Sequence, residues 1–153
     1  MYITYARVWT RGMSSTPLIR YGSFTEARKA LKDILDTAEN GAMVSIVRGD
    51  RVSVVADRDR LRDHLASTLP SRAKVVAQVD GWVILMPDKP FAAEGDTFDS
   101  AVGDMIANLR EYAAEWPVHF QSAPNHASNW ALVQLVTLST DDQLRDWLTT
   151  ESA

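Results

Sequence analysis

Two histidines are the residues of this chain whose type is best suited to binding a metal ion. His119 and His126 lie seven residues apart, and the carboxylates of Asp104 and Glu115 precede them. Structural zinc sites take paired ligands from positions roughly two to five residues apart, so this spacing fits no compact zinc motif. The 153-residue sequence contains no cysteine, which excludes thiolate ligands and a cysteine nucleophile. We therefore expect neither a metal site nor a cofactor.

A series of acidic residues suggests a second kind of chemistry, the two-metal cleavage of nucleic acids on a ribonuclease H-like sheet. The series consists of Asp80, Asp88, Glu94, Asp96 and Asp99. Most of these carboxylates lie in predicted turns or at the start of a predicted helix, where capping and solvation explain them. The sequence also lacks the Gly-x-Ser-x-Gly motif of a serine nucleophile and any glycine-rich phosphate loop. We expect no catalytic residues, and a ribonuclease H-type enzyme is the weakest alternative.

Basic and acidic residues are distributed unevenly along the chain, although the formal net charge is only −4. Residues 1–74 contain thirteen Lys and Arg and eight Asp and Glu, a balance of +5. Residues 75–153 contain three Lys and Arg and twelve Asp and Glu, a balance of −9. A basic half followed by an acidic half indicates two surfaces with different partners, of which the basic one suits a polyanion.

The composition is that of a globular protein, with 46% hydrophobic and 24% charged residues. No apolar run approaches the ~20 residues that a membrane helix needs. The first twelve residues contain two arginines but lack the apolar stretch of a signal peptide. We therefore expect a cytoplasmic protein that does not associate with membranes.

The first half of the chain is predicted to begin with strands and a capped helix. Aromatic and β-branched residues favour a strand over residues 2–9 and a short one over residues 18–21. Ser23 is a predicted N-cap, and Glu26 three residues later completes a capping box. Small and apolar residues then recur at helical spacing until Asn40-Gly41 ends the helix.

A hairpin and a second helix complete the first half. The β-branched runs 43–47 and 51–55 are separated by Arg48-Gly49-Asp50, a short turn that contains glycine. Residues 57–69 are predicted to form a helix that Pro70 closes. Residues 1–70 are thus predicted to be one domain.

The second half is predicted to start with three strands. Residues 74–79 and 82–86 flank Asp80-Gly81, a strong signal for a type I′ hairpin. A third short strand is predicted over residues 91–94. A helix over roughly residues 98–114 follows, with its N-cap at Asp96 or Thr97.

The remainder of the second half is predicted to be a loop and two apolar segments. Residues 116–129 contain two prolines and two histidines and are predicted to be a loop, with a short strand possible over 118–120. The apolar segment 130–138 is either a strand or a buried helix, and a last helix over 141–149 follows a cap at Thr140. The fold class is therefore α+β, with a second, sheet-plus-helix domain over residues 74–153.

Residues 23–56 resemble the Phd/YefM antitoxin family. That family has an Ala-Arg pair and alternating leucines in its first helix, then a Glu-x-Gly turn and a two-stranded hairpin. The matching residues here are Ala27-Arg28, Leu31, Ile34, Leu35, Glu39-Asn40-Gly41, Val44, Ile46, Arg48, Gly49, Arg51 and Val52. The resemblance covers about a third of the chain. Some twenty residues precede the first helix here, whereas the family usually has only a few.

The Phd/YefM resemblance implies a homodimer that lays a basic face on operator DNA. The DNA-contacting residues would be Arg28 and Arg48, supported by Arg51, Arg20 and Lys29. Arginine's planar, permanently charged fork suits contacts to phosphates and guanine. The implied dimer interface consists of Leu31, Ile34, Leu35, Val44, Ile46 and Val52, with Val54 on the same hairpin. The alternative is that the arginines are solvated or paired with Asp33, Asp36 and Asp50.

Residues 81–113 are similar to the HicB-like antitoxin domain. The similarity rests on a Gly95-Asp96-Thr97 step into the helix, followed by Asp99 and Ala101. It implies a reduced ribonuclease H fold without catalytic carboxylates, used to bind a toxin. Four of the five tryptophans lie in this half, and Trp147, Trp130 and Trp116 are the candidate toxin contacts. Packing in the core is their alternative fate.

These expectations combine into the hypothesis of a type II antitoxin. It would neutralise a cognate protein toxin, of basic ribonuclease type, by direct binding, and repress its own operon as a homodimer. Complementary charge favours association of the acidic half with a basic toxin. The alternative from another class is a non-enzymatic protein-binding or structural module that has the same fold and does not bind DNA.

Overall fold

The computed structural model describes residues 19–150 and divides the chain into two compact units, with the boundary between Asp57 and Arg58. The strand predicted over residues 2–9 and the turn predicted over residues 10–17 lie outside the described residues. No helix within residues 19–150 combines the length and the apolarity needed to cross a membrane.

Within residues 19–57, the first unit is a three-stranded sheet with two short helices. Strand β1 runs parallel to β2, which pairs antiparallel with β3, in the order β1-β2-β3. A small core joins the helices to one face of the sheet, centred on the buried side chains of Ala27, Ile34 and Val44. Its elements are β1 (Ile19–Tyr21), α1 (Phe24–Lys29), α2 (Leu31–Glu39), β2 (Val44–Arg48) and β3 (Arg51–Val55).

The helix predicted after Ser23 is interrupted at Ala30, whose backbone angles of φ −104° and ψ 20° are not helical. The Ser23 hydroxyl accepts a hydrogen bond from the amide of Glu26 at 3.2 Å, which confirms the predicted N-cap. The Glu26 carboxylate accepts from the amide of Gly22 instead of that of Ser23, also at 3.2 Å. The predicted capping box is therefore only half formed.

The predicted β2–β3 hairpin is confirmed, with a tighter turn than expected. Arg48 pairs directly with Arg51, so only Gly49 and Asp50 form the turn. Gly49 adopts φ +63°, a left-handed conformation that glycine reaches without steric cost. Glycine at the first turn position is typical of type II′ hairpins, whose twist matches that of the strands.

The second unit is a three-stranded antiparallel sheet covered by helices. Its strand order is β4-β5-β6, and these are the three strands predicted between residues 74 and 94. Helix α4 packs on β5 and β6, and α5 packs against both α3 and α4. The elements are α3 (Arg58–Thr68), β4 (Lys74–Gln78), β5 (Gly81–Met86), β6 (Phe91–Gly95), α4 (Phe98–Glu115), a π-helical turn (Trp116–Phe120), a 3-10 turn (Ala127–Asn129), α5 (Trp130–Leu138) and α6 (Asp141–Thr149).

Helix α3 packs in the second unit, although the sequence placed it in a first domain ending at residue 70. Its Leu65 is buried in the core of the second unit. Arg58 Nε donates to the Leu138 carbonyl at 3.2 Å, and Arg62 donates to the Ser139 hydroxyl and the Gln143 carbonyl, both at 3.1 Å. These bonds tie α3 to the segment between α5 and α6.

The turn between β4 and β5 is formed by Val79 and Asp80, and not by the predicted Asp80-Gly81 pair. Gly81 is the first residue of β5 and adopts φ +154°. A Cβ atom at this position would lie 2.6 Å from the carbonyl oxygen of Gly95. The glycine is therefore explained by the close approach of strand β6.

Residues 116–120 and 127–129 form helical turns where a loop was predicted, and the alternative short strand over 118–120 is wrong. Residues 121–126 between them are turns, as predicted for a loop. The Gln121 amide donates to the Trp116 carbonyl at 2.9 Å, which closes the π-helical turn. Pro117 is the second residue of this turn and lies where the bonding pattern of α4 gives way to the π-helical one. The ambiguous segment 130–138 is the buried helix, and the caps predicted at Thr97 and Thr140 both form full capping boxes.

Candidate functional site

The five basic residues predicted to bind DNA are all exposed side chains of the first unit. Among the described residues, none of the five forms a salt bridge, and the predicted alternative of pairing with Asp33, Asp36 or Asp50 is not observed. Asp36 instead binds Lys32, and this hydrogen bond and its charge raise the pKa of Lys32. The basic charges are therefore available to a partner.

One of these residues contacts the ring of Phe24, which is 55% exposed, and two others are placed near it by strand register and helical spacing. The Arg48 guanidinium carbon lies 5.8 Å from the Phe24 ring centroid. Arg51 pairs directly with Arg48, so both side chains project from the same face of the hairpin. Arg28 lies four residues after Phe24, on the same side of α1 and one turn along. We call Arg28, Arg48 and Arg51 the basic cluster.

Arg20 lies on the face of the sheet opposite to the basic cluster. It pairs with Ser45, and the neighbouring Val44 and Ile46 point to the helices. Because side chains alternate along a strand, Arg20 projects from the open face. Arg20 therefore cannot contact the same phosphates as the basic cluster, and it is the weakest of the five predictions.

The predicted dimer interface contains residues that the first unit buries by itself. Ile34 and Val44 have no exposed surface, and Ile46 packs against them. These three residues form the unit's own core, so their assignment to an interface is wrong. Leu31, Leu35, Val52 and Val54 are each about half exposed.

The exposed residues of that interface form two separate surfaces. Leu31 and Leu35 lie one turn apart on the outer side of α2. Val52 and Val54 pair with Val47 and Ser45, which places them on the open face of the sheet. A second copy would cover either the α2 surface or the open sheet face.

Two of the three tryptophans predicted to bind a toxin belong to the core of the second unit. Trp116 and Trp147 are each only 8% exposed. Their indole Nε1 atoms donate to the carbonyls of His126 and Leu69, at 2.9 and 2.8 Å. Trp130 is 51% exposed and alone remains a candidate contact.

The helical spacing of Leu144, Trp147 and Leu148 marks one buried stripe of α6. This spacing was the sequence signal that Trp147 points into the core.

An open groove between β6 and α4 is lined by two acidic residues, Glu94 and Asp104. Glu94 projects from β6 and Asp104 from α4, and neither forms a salt bridge within the described residues. The groove is lined by Ala92, Ala93, Glu94, Asp104, Ala107 and Asn108. Small apolar walls with two unpaired carboxylates suit the long, charged side chain of lysine or arginine.

The other acidic residues considered for nuclease chemistry do not converge with this groove into a metal site. Asp88 forms a salt bridge with Arg72 at 3.0 Å, and Asp99 forms one with Arg145 at 2.8 Å. Within residues 19–150, no three histidine or carboxylate side chains come together in a group able to hold a metal ion.

His126, one of the two histidines considered for zinc, takes part in a chain of side-chain hydrogen bonds. Lys89 Nζ donates to Asn129 Oδ1 at 2.5 Å, and Asn129 Nδ2 donates to the Tyr112 hydroxyl at 2.8 Å. The Tyr112 hydroxyl lies 3.0 Å from His126 Nδ1. His119 is exposed, so the two histidines have different environments. These hydrogen bonds stabilise the packing of the turns after α4.

The first unit is basic and the second is acidic, like the two halves of the sequence, but the difference in net charge between the units is smaller. Residues 1–57 contain eight basic and six acidic residues, a balance of +2. Residues 58–153 contain eight basic and fourteen acidic residues, a balance of −6. Much of the basic excess of the first half therefore belongs to α3 and the residues after it.

The fold is similar to that of an antitoxin of known structure. A crystal structure from Syntrophomonas wolfei subsp. wolfei, described as the antitoxin part of a proposed toxin/antitoxin system, superposes with a TM-score of 0.69 at 18% identity. The match covers 86% of this chain and 96% of that chain, so it extends into both units. No protein-family model matches the sequence, and no curated protein is significantly similar to it.

Proposed function

We propose that this protein is the antitoxin of a type II toxin-antitoxin system and that it acts without catalysis. It would bind a protein toxin through the second unit and operator DNA through the first. The observation that carries the proposal is the unpaired basic cluster on one compact unit and the acidic groove on another. The fold shared with the Syntrophomonas wolfei antitoxin supports it.

The basic cluster is the proposed DNA-binding surface. Three guanidinium groups lie within one region of the first unit, and none is neutralised by a carboxylate of the described residues. Guanidinium groups bind phosphates and guanine through two parallel hydrogen bonds. The Phd/YefM resemblance of residues 23–56 assigns the same role to Arg28 and Arg48. Because the net charge of residues 1–57 is only +2, local geometry must supply the affinity.

The groove with Glu94 and Asp104 and the exposed Trp130 are the proposed toxin contacts. The balance of −6 in residues 58–153 favours a basic toxin, as a ribonuclease would be. A basic side chain inserted between two carboxylates would replace their water by charge-assisted hydrogen bonds. An exposed tryptophan adds apolar area of the kind that dominates interface energies.

A homodimer is proposed for the first unit because the core that its described residues form is small. Within residues 19–57, the buried apolar side chains are those of Ala27, Ile34, Ala38 and Val44. Domains of this size are marginal unless a partner surface adds to the core. The outer side of α2, with Leu31 and Leu35, is one such surface, and the open sheet face is the other.

The test of toxin binding uses the protein encoded beside this gene. Co-expression with this chain should relieve the growth arrest that the toxin causes, and the two proteins should co-purify. Replacing Glu94 and Asp104 by lysine should abolish co-purification. The control is the same charge change at Asp142 and Asp146 on α6, which should leave binding intact. Equal losses in both variants would mean that net charge acts and that the groove does not.

The second candidate function is a protein-binding module without DNA binding. The near-neutral charge of residues 1–57 favours it. A mobility-shift experiment with the region upstream of the gene separates the two. Binding that weakens steeply with increasing salt concentration supports the repressor function. Absence of binding at low salt supports the protein-binding module.

A further inference from the structure

Within residues 19–150, strand β4 is an edge of the second sheet, and no strand pairs with its outer side. At the other edge, α4 packs along β6, and Asn108 Nδ2 donates to the Ala92 carbonyl at 3.2 Å. All five residues of β4 are exposed, including Val76 at 44%. One edge of the sheet is therefore contacted by a helix of the same unit, whereas no described strand pairs with the other edge.

The β4 edge lacks most of the features that prevent edge strands from pairing with other chains. It contains no proline and no acidic residue, and Lys74 is its only charge. Its pairing with β5 is continuous from Lys74 to Gln78, so no bulge twists it away. A regular edge that exposes valines is a template for another strand.

We propose that β4 pairs antiparallel with β4 of a second copy, about a two-fold axis at Val76. This register uses all five strand residues and none from the turn. It places Lys74 opposite the partner's Gln78, Val75 opposite the partner's Ala77, and Val76 opposite itself. No like charges face each other, and valine pairs well with β-branched neighbours across strands. Each residue of the strand thus meets a compatible residue in an arrangement that has the two-fold symmetry of a homodimer.

The pairing joins two sheets into one of six strands. Val76 lies on the outer face, because it pairs with Val83 while Val75 pairs with the buried Ile84. The outer apolar residues of both copies would therefore form one continuous surface across the axis. A five-residue edge buries less than the ~1,200 Å² of a typical stable interface, so this contact is weak by itself. It is distinct from the proposed dimer surfaces of the first unit.

Disulfide trapping tests this pairing in the full-length protein, because the chain contains no other cysteine. Residues directly opposite in an antiparallel pair have Cα atoms about 4.5–5.5 Å apart, within the range that a disulfide spans. Val76→Cys should therefore oxidise to a covalent dimer. The matched control is Gln78→Cys, on the same strand and face, whose two copies would be separated by four residues, about 13 Å along the strand.

We expect Val76→Cys to form the dimer at least ten times faster than Gln78→Cys at equal micromolar concentration. Equal rates, a faster Gln78→Cys reaction, or no covalent dimer from either variant would overturn the proposal. Thermal unfolding of each variant checks that the fold is intact. If Val76→Cys does not fold, the double variant Val75→Cys/Ala77→Cys provides the same test, since the register forms two disulfides between its copies. Failure of that variant to form a dimer would also overturn the pairing.

Discussion

Removing two arginines of the basic cluster should change how DNA binding depends on salt. Each phosphate contact contributes about −0.9 to the slope of log K against log salt concentration. Arg28 and Arg48 are exposed and form no salt bridge within the described residues, so their replacement by alanine should remove full charges without disturbing the core. The slope should become shallower by about 1.8 for a bound monomer and about 3.6 for a dimer, which presents each residue twice.

The affinity of the same variant should fall along with the slope. Each well-placed arginine contributes roughly 1–3 kcal/mol, so the double variant should lose at least about 2 kcal/mol, or about 30-fold. Loss of the Arg48 contact with Phe24 has little effect on folding, because an exposed cation–π pair contributes only ~0.5–1 kcal/mol. Mobility shift or fluorescence anisotropy with the upstream DNA at four or five salt concentrations measures both quantities.

Lys32→Ala is the matched control for this experiment. Lys32 is as exposed as the arginines and lies in the same unit, but its charge is already paired with Asp36. Its removal should leave the slope unchanged. The reasoning is refuted if the double arginine variant keeps the slope of the wild-type protein. It is equally refuted if Lys32→Ala makes the slope shallower by the same amount, because net charge and not the basic cluster would then determine binding.

Two further predictions concern the stability of the second unit, and each compares a substitution with a matched control. Trp147→Phe should lower the free energy of unfolding by about 1–3 kcal/mol, since it leaves the main-chain carbonyl at the end of α3 without its donor. Trp130→Phe, at an exposed position, should change it by less than about 0.5 kcal/mol in the same denaturant titration. Gly81→Ala should destabilise by about 1–3 kcal/mol, because its Cβ would meet a carbonyl of β6 at 2.6 Å. Gly103→Ala, in an exposed part of α4 with no atom within 4 Å of the new Cβ, should raise the melting temperature instead, and a fall would contradict the packing described.

Three of the six described α-helices were predictable from their first turns. Thr97 and Thr140 each begin a helix, with a hydrogen-bonding partner three residues later. These interactions are local, so the sequence contains all the information that they need. The β2–β3 hairpin was predictable for the same reason, since a glycine-containing turn joins two β-branched runs.

The errors arose where a residue has its role through contacts distant in sequence. Gly81 follows an aspartate and reads as a turn glycine, but the strand that requires it lies fourteen residues later. Trp147 was assigned to a partner surface, because the Leu69 carbonyl that it binds lies far away in the sequence. Pro117 was read as a loop residue, since the sequence does not show that the helix continues into a π-helical turn.

The candidate DNA site was predictable in its residues but not in its arrangement. The sequence assigned Arg20 and Arg48 to one surface, whereas strand register places them on opposite faces of the sheet. The sequence also assigned Ile34 and Val44 to a dimer interface. The pattern of apolar residues in a sequence is the same whether they face a partner or the sheet of their own unit. The packing of α1 and α2 on β2 and β3 decides between them, and it depends on contacts between separate elements.

The position of α3 changes the argument for DNA binding itself. The predicted boundary at residue 70 gave the first half a balance of +5, and this excess was the original reason to expect a polyanion. The observed boundary assigns Arg58 and Arg62 to the second unit, where they bind main-chain carbonyls at the end of α5 and in the first turn of α6. The first unit keeps a net charge of only +2. Such a small charge does not attract DNA from a distance, because physiological salt screens exposed charges beyond about 8 Å. DNA binding therefore depends on the basic cluster, whose guanidinium groups must contact the DNA directly.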